Sequence, residues 1–264
     1  MRLIYILAIL TFIGMAALWG GWYGLCRRKL AAALAAACII VGGVLLLLAV
    51  LPGNSFYGTT VTAEPTAGKN VALTFDDGPY PPYTDELLAV LQHRQVKATF
   101  FMVAVNARQH PELVAQIAAQ GHEVALHALQ HRDFLKLAPA QQQSDVAAGK
   151  ELLEKLSGQQ ITLMRPPDGF RDWSVLATLR KNGLTAVNWS VIPRDWTNPG
   201  SGVIVQRVME QVQPGAIILL HDGDSPKYAA SREQTVQAVP VIIDKLRAAG
   251  YNFVTVSELM HKGE

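Results

Sequence analysis

From residue 70 to residue 256 the chain alternates short apolar runs with longer amphipathic ones, and this alternation constrains the fold more than any other feature. Apolar, β-branched runs at 70–76, 97–103, 123–127, 161–165, 184–189, 215–221 and 252–256 read as strands. Helical patterns fill the gaps at 83–93, 111–120, 140–156, 173–182, 201–212 and 233–249. Gly121, Gly158, Gly183 and Gly250 stand where four of these helices stop. Such alternation implies a parallel sheet, because each return to a parallel strand needs a crossover, usually a helix. The repeats predict an α/β fold, a closed or nearly closed β/α barrel slightly short of the eight-fold form.

In barrels of this kind reactive groups lie at the C-terminal ends of strands. The unusual polar residues of this chain fall there, one strand after another. Asp76 and Asp77 end the first strand, His127 the third and Arg165 the fourth. Asp195 and Trp196 follow the fifth, and His221 and Asp222 end the sixth. Two adjacent carboxylates repel unless a cation neutralises one and the other shares a proton. Asp-Asp-Gly-Pro alone also reads as an ordinary acidic turn; the company it keeps argues otherwise.

His127 and His131 are four residues apart, a spacing that on a helical turn puts both imidazoles on one face. With a carboxylate from the first strand they make a two-His, one-carboxylate set with open positions, suited to zinc or another transition metal. The other carboxylate of the pair can act as a base on a water, and His221 can protonate a leaving group. His93, His110 and His261 read as surface residues, and His122 is assigned no role. Prolines stiffen the Arg165-Pro166-Pro167-Asp168-Gly169-Phe170 loop, which can aim backbone N–H groups at a developing oxyanion. Arg165 can orient a carboxylate. Phe170 and Trp196 read either as sugar-stacking rings at the mouth or as packing residues.

Two apolar runs, 3–25 and 30–51, precede the domain and flank Arg27-Arg28-Lys29. Each is long enough to cross a hydrocarbon core of about 30 Å as a helix. A cleaved signal peptide is the other reading of the first run, but it lacks a good small-x-small cleavage site. The expectation is a transmembrane hairpin in contact with membrane lipid. Its basic connection would be cytoplasmic and the domain extracytoplasmic, although Arg2 argues weakly against an outside N-terminus. Residues 52–69, rich in Gly, Thr, Pro and Ala, read as a linker, and 70–264 as the domain. Cys26 and Cys38 lie in or beside the apolar segment, and a disulfide between them is not expected. A net charge of +2 without a basic patch gives no sign of nucleic-acid binding, and no protein partner is implied.

The elements T-F-D-D-G-P, H-x-x-x-H, R-P-P-x-G, D-W and L-L-H-D-G occur in that order over roughly residues 69–260. They resemble the NodB-type polysaccharide deacetylases, carbohydrate esterase family four. The resemblance implies a distorted seven-fold barrel and metal-dependent removal of N-acetyl groups from an acetylated amino-sugar polymer, peptidoglycan above all. It implies Asp76 as general base, and Asp77, His127 and His131 as ligands of a divalent metal, usually zinc. It implies His221 as general acid, Arg165 as the residue orienting the base, and the backbone N–H of Asp168 in the oxyanion hole. Leu219 lies where an apolar residue meets the acetyl methyl. Three positions depart from the pattern. Ala128 replaces a Ser or Thr, Asp168 replaces an aromatic residue, and Ile192 replaces an acid that normally pairs with the general-acid histidine, leaving Asp195 as the carboxylate for His221. These departures also motivate a second reading, a glycan-binding protein that no longer turns over; a third keeps the chemistry and changes the substrate to an exopolysaccharide or lipid-linked amino sugar.

Overall fold

The computed structural model describes residues 2–225 and 230–263. Two long apolar helices come first, α1 (Leu3–Trp22) and α2 (Arg28–Val50). Small residues let them approach closely. A Cβ on Gly21 would lie 2.7 Å from Ala31 Cβ, and Gly14 faces Ala35 and Cys38. Their large side chains, among them Ile9, Phe12, Leu18, Ile39 and Leu47, point outward. Both helices have the length and hydropathy to cross a membrane. Cys26 is exposed, Cys38 is buried, and both are free thiols.

The domain then runs β1 (Asn70–Asp76), α3 (Tyr83–His93), β2 (Thr99–Met102), α4 (Ala104–Gln109), α5 (Pro111–Ala119), β3 (Glu123–Leu126), α6 (Pro139–Ser157) and β4 (Leu163–Met164). It continues with α7 (Trp173–Lys181), β5 (Thr185–Ala186), α8 (Ser201–Gln211), β6 (Ile217–His221), α9 (Glu233–Ala248), β7 (Asn252–Phe253) and α10 (Val256–His261). The sheet order is β5-β4-β3-β2-β1-β6, with β7 on β1, and every strand pair is parallel. The result is a distorted β/α half-barrel. Gly121, Gly158, Gly183 and Gly250 all take positive φ just after helices, as expected from their positions.

Three expectations need correction. β4, β5 and β7 hold only two residues each, far short of 161–165, 184–189 and 252–256. Apolar content there reflects burial, which loops at the rim share with strands. The run to residue 256 instead turns into α10, because Thr255 caps it and Glu258 reaches back to the Thr255 N–H. Helix α4 was not anticipated.

The segment 52–69, expected as a tether, lies against the barrel between β5 and β6. Val61 bridges Val187, Ala63 bridges Ala216, and Tyr57 is buried with its hydroxyl donating to Leu45 O at 2.7 Å. Nearer the mouth, Val191 bridges Ile218 directly. The seam depends on Gly215, at φ +76, where a Cβ would fall 1.9 Å from Glu64 O. Gly215→Ala is therefore expected to detach residues 61–67 and destabilise the domain by about 1–3 kcal/mol. Thermal unfolding in detergent checks this; an unchanged midpoint would show that the segment does not contribute.

Candidate active site

Strand parity assembles the site. On β1, Val71, Leu73 and Phe75 face the helices and belong to the outer core, while Ala72 belongs to the inner cluster. Thr74 and Asp76 continue the inner face. The same alternation carries Ala125 to His127, Leu163 to Arg165, and Ile217 through Leu219 to His221. In register, Leu219 pairs with Thr74 and His221 with Asp76. β1, β3, β4 and β6 thus each bring one reactive side chain to the inner rim.

Asp77, His127 and His131 meet there, each offering one ligand atom, all within 4.8 Å of one another. His127 Nε2 lies 3.5 Å and His131 Nε2 3.4 Å from Asp77 Oδ1. That oxygen is buried and has no hydrogen-bond partner. His127 Nδ1 is 2.7 Å from Arg165 O, so its proton sits there and Nε2 keeps a free lone pair. Burial, then His131 and Arg165, pull the His127 pKa well down, so the ring is neutral. An orphaned carboxylate oxygen facing two imidazole nitrogens fits a divalent cation.

The two histidines do not share a helical turn, as their spacing suggested. Residues 127–131 form a loop in which Ala128 takes φ +75. Asp145 on α6 holds it, accepting from Leu129 N at 2.7 Å and from Arg132 at 2.9 Å.

Asp76 is buried beside Arg165, whose Nη1 donates to Asp76 Oδ1 and, at 2.9 Å, to Thr74 Oγ1. Nη2 donates to Asn188 O at 2.9 Å, and the guanidinium lies 4.0 Å from the centre of the Phe101 ring. Burial pushes Asp76 up to about 6, with Arg165 opposing.

Across the rim, His221 Nδ1 is 2.9 Å from Asp195 Oδ1. Asp195 Oδ2 accepts from His221 N and from Thr235 Oγ1, both at 2.8 Å. Burial alone would lower His221, but the Asp195 carboxylate outweighs it and pushes the imidazole up to about 9. Asp195 therefore pairs with His221 although Ile192 stands at the usual acid position. Trp196, 39% exposed, packs edge-on against His221 at 5.2 Å. Leu219 is buried on the same face.

The loop after β4 forms a 3₁₀ turn, Pro167–Gly169, with Asp168 at φ +60. Asp168 is exposed as a residue, and the partial burial of its carboxyl raises its pKa, with His131 lowering it and Asp133 and Asp77 opposing. Phe170 is half-buried against the outer core and acts there as a packing residue.

Several supporting residues had no assigned role. Asp222 caps the Asp-Asp-Gly turn, accepting from Gly78 N at 3.1 Å and Thr84 Oγ1 at 2.7 Å; burial raises it to about 7. Its signal was present, since it directly follows His221. Asn106, which donates to Asp77 O at 2.8 Å, and Asp145 sit in helices where no spacing marks them. His122 is buried, takes the Ala98 N–H at 3.2 Å and is depressed to about 4 by burial, which makes it a neutral core residue.

Residues 63–187 match the family model described as polysaccharide deacetylase. A chitooligosaccharide deacetylase of Bradyrhizobium sp. (strain ANU 289) is 40% identical over 198 residues, covering 72% of this chain and 90% of that protein. A peptidoglycan-N-acetylglucosamine deacetylase of Bacillus cereus is 39% identical, covering 74% and 90%. Among solved structures, the Bc1960 peptidoglycan N-acetylglucosamine deacetylase superposes with a TM-score of 0.71 at 29% identity, over 76% of this chain and 92% of that one. BA3943 of Bacillus anthracis, described as a CE4 family pseudoenzyme, gives 0.70 at 26% identity over 76% and 69%. With its inner-rim carboxylates and histidines, and at this level of identity to characterised relatives, the chain belongs to the NodB-type polysaccharide deacetylase family, carbohydrate esterase family four.

Proposed function

We propose that this protein is a metal-dependent N-deacetylase of GlcNAc- or MurNAc-type cell-wall glycan, peptidoglycan above all, working from the outer face of a membrane. The observation that carries this reading is the pairing of Asp76 with Arg165 and of His221 with Asp195 around the Asp77, His127 and His131 cluster. The names of the chitooligosaccharide- and peptidoglycan-deacetylating relatives support the substrate class.

Asp77, His127 and His131 would hold a divalent cation, zinc on ligand type, which would supply Lewis acidity. The rest falls to the chain. Asp76, ionised at neutral pH and oriented by Arg165, takes a proton from the attacking water. The water oxygen bonds to the acetamide carbon, and the carbonyl oxygen becomes an oxyanion beside the backbone N–H of Asp168. His221, protonated through Asp195, gives its proton to the departing nitrogen. The C–N bond breaks, leaving a free amine and acetate. Leu219 provides the apolar wall for the methyl group, and Trp196 provides an exposed ring for a sugar face.

The membrane location is supported by two aromatic belts. Trp19, Trp22 and Tyr23 lie at the hairpin end next to Arg27, Arg28 and Lys29. Tyr5, Phe56 and Trp173 gather at the domain end, the last two with ring centres 5.4 Å apart. Arg2, the residue at odds with an outside N-terminus, is buried against the domain and donates to Leu135 O and Lys136 O. A silent glycan-binding role is the second reading, favoured by the Asp168 carboxylate at the mouth and by the likeness to a CE4 pseudoenzyme.

Acetate release from acetylated chito-oligomers or peptidoglycan fragments tests the proposal; glycan binding without release would favour the second reading. Asp76→Ala is expected to lower kcat by about 10²–10⁴-fold while zinc binding persists. His127→Ala and His131→Ala are expected to abolish stoichiometric zinc binding in equilibrium dialysis, and a chelator to stop acetate release in the wild type. The His221 pKa near 9 makes the acid competent below that pH and lost above it. Asp195→Asn removes the charge that raises it, so the basic limb of the kcat profile should move to lower pH. An unmoved limb would remove His221 from the acid role.

A further inference from the structure

Just past the active-site turn, Phe170-Arg171-Asp172 leads into α7, and both charged residues are fully buried. The Arg171 backbone N–H donates to Ala49 O at 3.1 Å. Its Nη2 serves Leu51 O at 2.7 Å, Pro52 O at 2.8 Å and Asn54 O at 2.7 Å. Its Nη1 donates to Gly169 O at 3.1 Å. Asp172 does the converse. Oδ1 caps α7 through Val175 N at 3.0 Å, and Oδ2 accepts Leu3 N at 2.8 Å, at the start of α1. A cation thus sits at the C-terminal end of α2, and an anion at the N-terminal ends of α1 and α7. Each charge matches the helix dipole it meets.

A buried guanidinium served by carbonyls alone is costly as a mere tether point. What it joins is informative. Gly169 closes the turn that carries Asp168, and its carbonyl also accepts from Asn188 Nδ2 at 3.2 Å. Asn188 Nδ2 in turn reaches Pro52 O at 3.4 Å. The turn has no slack on its other side, because a Cβ on Gly169 would lie 2.8 Å from the Trp189 ring. Arg2 meanwhile grips Leu135 O and Lys136 O, in the loop that follows His131. The hairpin therefore touches both loops that flank the ion-binding cluster.

We infer that the apolar hairpin is part of the active-site framework and that Arg171 is a positioning residue, seating the Pro167–Gly169 turn on the outer end of α2. The shape of that turn depends on the hairpin staying docked. Only the kinetic part of the test rests on the deacetylase reading.

The full chain in phospholipid nanodiscs is compared with Arg171→Gln, Arg171→Lys and a three-glycine insertion between Gly53 and Asn54. The insertion changes no residue of 70–264 and covers the case in which Arg171→Gln does not fold. Arg171→Gln and the insertion are expected to lower kcat on a soluble chito-oligomer by roughly tenfold or more. KM should stay within about twofold, zinc binding should be retained, and amide exchange at Gly169 and Phe170 should quicken. Arg171→Lys should restore most of kcat, since its three N–H donors can meet three of the four carbonyls, enough to join Gly169 O to the end of α2. Wild-type exchange rates and kcat in both disrupted variants would overturn the inference. So would a fall in kcat that merely tracks lost thermal stability and is not rescued by lysine. If the wild type releases no acetate, the deacetylase reading fails by itself, and the exchange rates alone decide the coupling.

Discussion

The site depends on a buried guanidinium. Arg165 has no exposed surface, and removing such a charge from water costs several kcal/mol before any pairing returns it. Asp76, Thr74, the Asn188 carbonyl and the Phe101 ring together compensate it. An apolar replacement of similar volume could stabilise the barrel as well, so stability does not explain the pair. Its geometry does. The side chain of Arg165 holds the Asp76 carboxylate, while its backbone carbonyl holds the His127 tautomer. One residue therefore registers the two halves of the site against each other.

Around that residue, environment separates two titrations. Asp76 is buried beside a cation and settles near 6. His221 is buried beside an anion and settles near 9. At neutral pH the carboxylate is ionised and the imidazole protonated, the charge states that the proposed amide hydrolysis uses. Asp195 itself is held below the usual carboxylate range because, although burial would raise it, His221 and the donors around it prevail.

The rim is also where the backbone departs from ease. Among the described residues, six non-glycines take positive φ; Asp77, Ala128, Asp168 and Arg194 lie in loops that carry or adjoin the site, while Gln95 follows α3 and Asn198 follows the Asp195–Thr197 turn. Such conformations persist only where surrounding contacts impose them. Asn106 on the Asp77 carbonyl and Asp145 on the Leu129 amide are such contacts. The Arg171–Asp172 clasp extends the same logic to the hairpin, whose ends are wired into the loop after β4.

The alternation of strands and helices and the reactive side chains at strand ends were legible in the chain, because period and residue type are local properties. Local signals also marked the apolar pair of helices and the glycines that stop helices. What the sequence could not convey was set by contacts between distant segments. Two-residue strands arise because a neighbour's register, not composition, decides where a ladder ends. His127 and His131 converge through a loop held by Asp145 and not through a helical turn. Asp195 reaches His221 across 26 positions, which no spacing rule could anticipate. The stretch 52–69 looked like a tether by composition and became barrel wall, because the gap between β5 and β6 exists only once the sheet has curved. The amino-acid sequence by itself determined which groups stand at the rim; tertiary structure alone decided their distances, their charges and their attachment to the hairpin, since those depend on burial and on partners far away in the chain.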